Sequence, residues 1–322
     1  VGIWVNGGSS PNQADPLRYG QDNEIVGNTI ISAGIRGIGW ERQKGGVIRN
    51  NTIVSSYQGM SLTSSDDCTV SDNRIRGTLT SCGIRIQGTS TSERSKGLVV
   101  ERNEIHGGAA EHALEIRNTS GIYVGKNKIT GGTRGVEFVS NNDNALVTKN
   151  KIKNGSGHSI SAGYAGDTGL RVIENDIETP GGFACVYLGS ADTVVDKNLL
   201  NGGMYGVRLG GLRASITNNT FSSQTGDVIY QPSADSTIRG NTGYKTEAKG
   251  TATVASGTTS IVVTHGMAVT PSADGIPLIR TNSGGASSKC WVSGITSTQF
   301  TINVDIDPGA TTATFAWRYT LS

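Results

Sequence analysis

The sequence predicts an all-β protein: a parallel β-helix of about ten turns with three short strands per turn, followed by a small antiparallel β-sandwich. Three observations predict this fold. An asparagine motif recurs through the first three-quarters of the chain, short apolar-polar-apolar segments recur between the asparagines, and both patterns end near residue 243. Helical periodicity is absent, and glycine is abundant at 46 of 322 residues, which suits a chain with many tight turns.

The asparagine motif places an asparagine two positions before a bulky apolar residue and recurs about every 23 residues, a period typical of solenoids. A degenerate copy at Asn241 closes the series. The other copies are Asn28, Asn51, Asn73, Asn103, Asn127, Asn150, Asn175, Asn198 and Asn219. We expect asparagine here because it tolerates a left-handed turn and because its amide can hydrogen-bond to the same residue one turn away.

Each repeat also contains three short strands. The first resembles Val47-Ile48, the second follows the asparagine, and the third resembles Gly83-Ile84-Arg85-Ile86. Their alternation of apolar and polar residues places one face inside and the other outside. Three such strands per repeat predict the stacked turns of a parallel β-helix, which lie about 4.8 Å apart.

The pattern changes after Gly243, so we divide the chain into a β-helix at residues 1–243, a linker at residues 244–249 and a C-terminal module at residues 250–322. Turn signals in the module separate six strand-like runs, which predict an antiparallel sandwich that caps the end of the solenoid. The runs are 251–255, 260–264, 276–281, 289–292, 299–304 and 314–319.

Composition narrows the possible partners and cofactors. The net charge is +2 and no Lys/Arg cluster stands out, so we expect no nucleic-acid partner. No apolar run reaches the roughly 20 residues of a membrane span, so we expect no membrane insertion. No metal-ligand spacing or cofactor motif is present, and we expect neither a metal nor a cofactor. The chain starts within a strand and without an initiator Met, which suggests an N-terminally truncated fragment.

Counting 10–12 residues on from each asparagine leads to the outward-facing middle residue of the third strand, and these middle residues form a column. The column contains Ser61, Arg85, Glu115, Glu137, either Ser159 or Ser161, Tyr187 and Arg208. Glu115 and Glu137 fall on adjacent turns, so their carboxyl groups are predicted to lie about 5 Å apart or somewhat further. Two close carboxylates push one pKa up, which gives the proton donor and the ionised partner that glycoside hydrolysis needs. We therefore predict Glu115 and Glu137 as catalytic residues.

Neighbouring residues are predicted to bind the substrate. Arg85 and Arg208 can hold acidic sugars, Tyr187 can stack on a sugar ring, and His112 can shuttle a proton. Trp40 and Glu41 can extend the groove beside a long loop at residues 6–23. Two other interpretations remain open: the carboxylates contact a glycan without cutting it, or the column is a solvated charge ladder.

The asparagine ladder and the C-terminal module together resemble phage tailspike and tail-fibre proteins. The ladder looks like the right-handed parallel β-helix of tailspikes and pectate-lyase-like enzymes, and segments 250–254, 262–267, 289–292 and 300–305 are similar to C-terminal modules of phage proteins. The resemblance implies a homotrimer in the virion tail whose partner is a bacterial surface polysaccharide, a capsule or O-antigen. It implies depolymerisation by glycoside hydrolysis, with a polysaccharide lyase or a non-catalytic receptor-binding spike as alternatives. No catalytic residue can be carried over, because the Asp-Asp and Gly-His-Gly patterns of polygalacturonase-like hydrolases are missing.

Overall fold

The computed structural model describes residues 2–7, 20–55, 57–77, 79–108, 112–153, 155–163, 166–210, 213–231, 235–283 and 285–320, without the side chains of residues 32, 33, 55 and 320. Most of the long loop predicted at residues 6–23 therefore lies outside the described residues. The chain forms two compact units, which meet in sequence at Thr237 and Ile238. In the parts of the chain given above, no helix is long and apolar enough to cross a membrane.

The first unit consists of three long parallel sheets, which confirms the predicted parallel β-helix. Each turn of the helix, here called a coil, adds one strand to sheet B, then sheet C, then sheet A. Sheet A contains Ile3–Asn6, Arg36–Glu41, Gln58–Thr63, Cys82–Gln87, His112–Arg117, Arg134–Ser140, Ile160–Ala162, Ala184–Leu188, Tyr205–Leu209 and Ile229–Tyr230. Sheet B contains Glu24–Val26, Val47–Arg49, Thr69–Ser71, Val99–Glu101, Tyr123–Gly125, Leu146–Thr148, Arg171–Ile173, Thr193–Asp196, Ala214–Thr217 and Thr237–Arg239. Sheet C contains Thr29–Ala33, Thr52–Ser55, Arg74–Arg76, Glu104–His106, Lys128–Thr130, Lys151–Lys153, Asp176–Thr179, Leu199–Gly202 and Thr220–Ser222.

Two short parallel sheets lie at the connections between sheet A and sheet B. One pairs Gly20–Gln21 with Gln43–Lys44, and the other pairs Ser95–Lys96 with Thr119–Ser120. Inside the coils, one apolar residue from each strand is stacked on its counterpart, as with Ile75 and Ile105 in sheet C, both fully buried. The core is therefore a set of aliphatic columns, each of which needs its neighbouring coil to be covered.

The asparagines of the repeat form a buried ladder at the turn between sheets B and C. The backbone N–H and the Nδ2 of Asn73 both donate to Oδ1 of Asn103, at 3.0 Å each, and the same pattern continues from Asn103 to Asn127. This confirms the predicted bonding between copies. The predicted backbone conformation was wrong: the residue before each buried asparagine carries the left-handed φ, such as Arg102 at 53° and Lys126 at 58°. Asparagine recurs because its amide satisfies buried backbone groups.

The second unit contains two three-stranded antiparallel sheets, which confirms the predicted small antiparallel module. One sheet has the strand order Glu247–Val254, Ala313–Thr320, Leu278–Arg280, and the other has the order Ser260–Thr264, Gln299–Val304, Cys290–Ser293. A short 3-10 helix spans Ala273–Gly275. The inner faces share an apolar core that includes Phe300, Phe315 and Trp317. The first strand begins at Glu247, within the segment that the sequence predicts as a linker.

Candidate functional site

The register of sheet A aligns the predicted outward column. Each of Arg85, Glu115, Glu137, Ser161, Tyr187 and Arg208 is paired with the next one in adjacent strands. The sequence leaves Ser159 and Ser161 as alternatives, and the register places Ser161 in the column. The register also extends the column to Tyr230. Side chains from successive coils therefore lie side by side along the outside of sheet A.

Glu115 is enclosed by arginines. Its side chain is only 3% exposed. Its Oε2 accepts hydrogen bonds from Nε and Nη2 of Arg85, at 3.1 and 2.8 Å, and its Oε1 accepts one from Nη2 of Arg117 at 3.3 Å. Two of these bonds come from one guanidinium, and together the three bonds provide partners for both buried carboxylate oxygens.

Glu137 is held by a second pair of cations. Its side chain is 1% exposed, its Oε1 accepts a hydrogen bond from Nη1 of Arg134 at 2.5 Å, and its Oε2 lies 2.5 Å from Nδ1 of His112. Burial raises the pKa of the Glu137 carboxyl, but the hydrogen bonds from His112 and Arg134 outweigh burial and leave that pKa below its usual value. Glu137 is therefore ionised at neutral pH.

This arrangement corrects the predicted electrostatics of the glutamate pair. We expected the pKa of one carboxyl to be pushed up by the other, yet each is surrounded by its own cations and the pKa of Glu137 is lowered. Glu137 is therefore a poor proton donor in this arrangement. Both carboxylates are also covered, so direct contact with a sugar would require Arg85 or Arg134 to move. The surface instead presents guanidinium groups: the side chains of Arg85, Arg117 and Arg134 are 27%, 44% and 32% exposed.

The structure also corrects the prediction that Trp40 binds substrate. The Trp40 side chain is fully buried, because Gly39 occupies the outward position opposite Ser61 and Trp40 therefore faces the core. Its ring lies against Gly46, where an added Cβ would be 2.2 Å from Cζ2 of Trp40. Glu41 does face outward, and it forms an ion pair with Arg36 at 3.6 Å.

Aromatic rings continue the column beyond the charged residues. The guanidinium carbon of Arg208 lies 5.2 Å from the ring centre of Tyr187 and 5.8 Å from that of Tyr230. Tyr187 also stacks on His158 at 5.1 Å, and Tyr230 stacks on Tyr205 at 4.6 Å. We call these five residues the aromatic strip. Because His158 and Arg208 both lie against the ring of Tyr187, we expect Tyr187 to meet a ligand through its hydroxyl edge.

Four members of this surface were missed by the sequence-based prediction: His158, Phe183, Tyr205 and Tyr230. Phe183 makes an edge contact with His158 at 5.5 Å and is 38% exposed, so its ring offers apolar area to a ligand. Tyr230 was within reach of the prediction, because it lies 11 residues after Asn219, within the 10–12 residues that separate each asparagine from the column. The other three lie in turns or at strand ends, where that count does not apply.

Metal ligands are not grouped in this site. Across the residues that the structure describes, no three His, Cys, Asp or Glu side chains are grouped closely enough to hold a metal ion. The described cysteines are all unpaired, and Cys68, Cys82 and Cys185 are buried. The chemistry available on sheet A is therefore that of guanidinium, imidazole, carboxylate and phenol groups.

The fold and the outward column define the chain as a β-solenoid with charged and aromatic side chains along one outer face. The profile of the family described as "Right handed beta helix region" matches residues 58–178 and 164–303, more than half of the chain. The chain belongs to this family, and its β-helix is right-handed. A second profile, "Periplasmic copper-binding protein (NosD)", matches residues 16–94. A search of curated protein sequences found no match.

Solved structures with the same fold include two tailspikes and an enzyme. The tailspike protein gp49 from Pseudomonas phage LKA1 matches with a TM-score of 0.57 and 11% identity, over 94% of this chain and 67% of that one. The Dettilon tailspike protein gp208 matches with a TM-score of 0.53 and 11% identity, over 93% of this chain and 86% of that one. The periplasmic alginate epimerase AlgG matches with a TM-score of 0.58 and 16% identity, over 70% of this chain and 60% of its own length. At these identities the likeness is one of fold.

Proposed function

We propose that this chain is part of a phage tailspike and that the outward face of sheet A recognises an acidic polysaccharide of the bacterial surface, a capsule or O-antigen. The observation that carries the proposal is the excess of cations on this face. Three arginines, Arg85, Arg117 and Arg134, contact two buried carboxylates, and a fourth, Arg208, lies further along the same column without a carboxylate beside it in the register. A polymer with a carboxylate on its sugar units complements such a face.

The geometry also suits a long ligand. Because the column crosses successive coils, its groups are spaced by the distance between strands, about 4.8 Å. A sugar chain that runs along the helix axis meets arginines first and then the aromatic strip, where Phe183 adds apolar area. The fold shared with two tailspikes supports this use, as does the fold shared with an alginate epimerase. Assembly into a homotrimer and a place in the virion tail belong to the same proposal.

Replacing Arg208 with alanine is expected to weaken the binding of an acidic polysaccharide about tenfold, because the variant removes one charge-assisted contact. Arg171 provides a matched control, since it is an exposed arginine on sheet B. The measurement is isothermal titration of the full chain with a uronate-containing capsular polysaccharide and with a neutral dextran. Equal affinity for both polymers, or an equal loss in Arg171→Ala, would contradict the proposed binding face.

Cleavage of the bound glycan by Glu115 and Glu137 is part of the proposal, and it requires one of their arginine partners to swing away. We expect Glu115→Gln and Glu137→Gln to abolish the release of reducing ends while the polysaccharide still binds. Glu104→Gln, on the outside of sheet C, is the control for the change of charge. A wild-type chain that shortens no host polysaccharide would remove the enzymatic part and leave the binding spike.

A polysaccharide lyase is the second candidate, and the contact between His112 and Glu137 favours it. A buried carboxylate at 2.5 Å from Nδ1 orients the imidazole, which is how a histidine general base is held in place in proteins. Arg85 would neutralise the uronate carboxylate. Lyase action forms unsaturated products that absorb in the ultraviolet, and His112→Ala should abolish that signal; reducing ends without this absorbance would favour hydrolysis.

A further inference from the structure

Two cations face each other without a counter-ion on the outer surface of the C-terminal unit. Lys249 and Arg318 are direct partners in the register of two antiparallel strands, and both side chains are exposed. Like charges in this position destabilise a sheet. None of the described carboxylates forms an ion pair with either of them, although ion pairs are frequent along the first unit. Because repulsion between Lys249 and Arg318 lowers the stability of the free protein, we expect this pair to be a place where an anion binds.

A cavity beside this pair increases the positive charge. It has a volume of about 440 Å³ and is lined by Lys245, Lys249 and Arg318, with Glu247 as its one carboxylate. His265 also lines it, and both ring nitrogens of His265 are engaged: Nδ1 accepts from the N–H of Met267 at 3.1 Å, and Nε2 lies 3.2 Å from the carbonyl oxygen of Thr296. Neither ring nitrogen of His265 is therefore left to bind a ligand. The cavity therefore has three cations against one carboxylate.

A second cavity joins the first and is apolar. Its volume is about 560 Å³, and it shares Lys249 and Arg318 with the basic cavity. Its lining includes Ile279, which is 66% exposed, together with Pro277 and Ala316. Ala316 is the register partner of Ile279, and its short side chain leaves the surface open there. A ligand held by the two cations would thus place its other end on aliphatic carbon.

We propose that the C-terminal unit holds a second binding site, which takes the carboxylate of an acidic sugar between Lys249 and Arg318 and the apolar part of that sugar on Ile279. Arg318 offers the planar fork that matches a carboxylate, and Lys249 adds a point charge. A nucleic acid fits less well, because residues 238–322 carry only six Lys and Arg against four Asp and Glu, and one of the six, Arg280, already donates to the carbonyl oxygen and Oγ of Ser287. This site lies in a different unit from the sheet A face and goes beyond the function proposed for that face.

The test uses Trp317, a residue that lines the apolar cavity and whose indole ring packs against Gly250, another lining residue. The full chain is labelled with 5-fluorotryptophan, and the Trp317 signal in ¹⁹F NMR is assigned by its loss in Trp317→Phe. N-acetylneuraminic acid carries a carboxylate and an acetyl methyl group, and we expect it to shift the Trp317 signal. N-acetylglucosamine, which lacks the carboxylate, should leave that signal in place at the same concentration.

Variants decide whether the two cations bind the carboxylate. A Lys249→Met and Arg318→Met double variant should weaken the response to N-acetylneuraminic acid at least tenfold, whereas Lys289→Met, an exposed control in the same unit, should respond as the wild type does. The double variant should unfold at the wild-type temperature or above, because it removes a repulsion. An unchanged response in the double variant, or an equal shift with N-acetylglucosamine or with inorganic phosphate, would overturn the proposal. Because Trp317 reports on this unit alone, failure here is separate from failure of the sheet A face.

Discussion

Replacing Asn127 with alanine is expected to lower the free energy of unfolding by about 3–4 kcal/mol. Oδ1 of Asn127 accepts from the N–H and the Nδ2 of Asn103, at 2.9 and 3.0 Å. Its Nδ2 donates to the carbonyl oxygen of Val100 and to Oδ1 of Asn150, at 2.9 and 3.0 Å. Alanine leaves these four buried groups without the partner they have now, and each loss costs about 1–3 kcal/mol when no other bond replaces it. Urea denaturation followed by circular dichroism measures the change.

The adjacent residue provides the control for Asn127. Lys128 is exposed on sheet C, and its ion pair with Glu104, at 3.2 Å, joins two exposed side chains. Lys128→Ala should change the free energy of unfolding by less than about 0.5 kcal/mol. A similar loss of stability in the two variants would contradict the view that the asparagine ladder, more than strand packing in general, holds the coils together.

The second large effect is expected at Asp167, where stability should fall as pH rises. A smaller polar ladder at the turn between sheets A and B runs from Thr119 to Asn142 to Asp167. Oδ1 of Asp167 accepts from the N–H and the Nδ2 of Asn142, at 2.8 and 2.9 Å, while Oδ2 is buried and, among the described residues, has no hydrogen-bond partner. Burial raises the pKa of Asp167 to about 6, and the bonds from Asn142 offset only part of that shift.

The sign of the pH effect follows from the proton on Asp167. Between about pH 4 and about pH 6 the folded protein keeps this proton and the unfolded chain releases it. The folded state therefore binds more protons in this range, and its stability decreases as pH rises, by on the order of 2–3 kcal/mol. Asp167→Asn should remove that decrease in urea denaturation between pH 4 and pH 7. Asp235→Asn, at an exposed position, should keep it. A profile of Asp167→Asn that runs parallel to the wild-type profile would contradict this account.

The asparagine count predicted much of the fold and of the candidate site. A strand of sheet A begins at nearly the same distance after each asparagine, so the count predicts that Arg85, Glu115 and Glu137 are in register, as they are in the structure. The ion pair between Arg85 and Glu115 then follows, since the two residues are neighbours in adjacent coils. Trp40 shows the limit of the count: 10–12 residues from Asn28 lead to residues 38–40, a range that contains both Gly39, which faces outward, and Trp40, which faces the core.

Other features of the site could not be predicted, because they depend on side-chain conformation. His112 lies in the coil before that of Glu137 and at the start of its strand, so the two residues do not occupy equivalent positions. Aligning equivalent positions of the coils therefore does not predict their contact. The aromatic strip includes His158, whose Nδ1 accepts from the N–H of Ala184 in an irregular turn. The cross-strand pair of Lys249 and Arg318 depends on the register of strands that are far apart in sequence. The sequence pattern therefore does not predict any of these contacts.

The central claim is that the outward face of sheet A binds an acidic glycan, and a crystal of the full chain soaked with a carboxylated oligosaccharide from the host capsule tests it most directly. We expect the sugar to lie across several coils of sheet A, with a carboxylate within ion-pair distance of Arg134 or Arg208 and a ring near Phe183. Sugar bound only on sheet B or sheet C, or an empty sheet A at a concentration that saturates binding in solution, would contradict the claim.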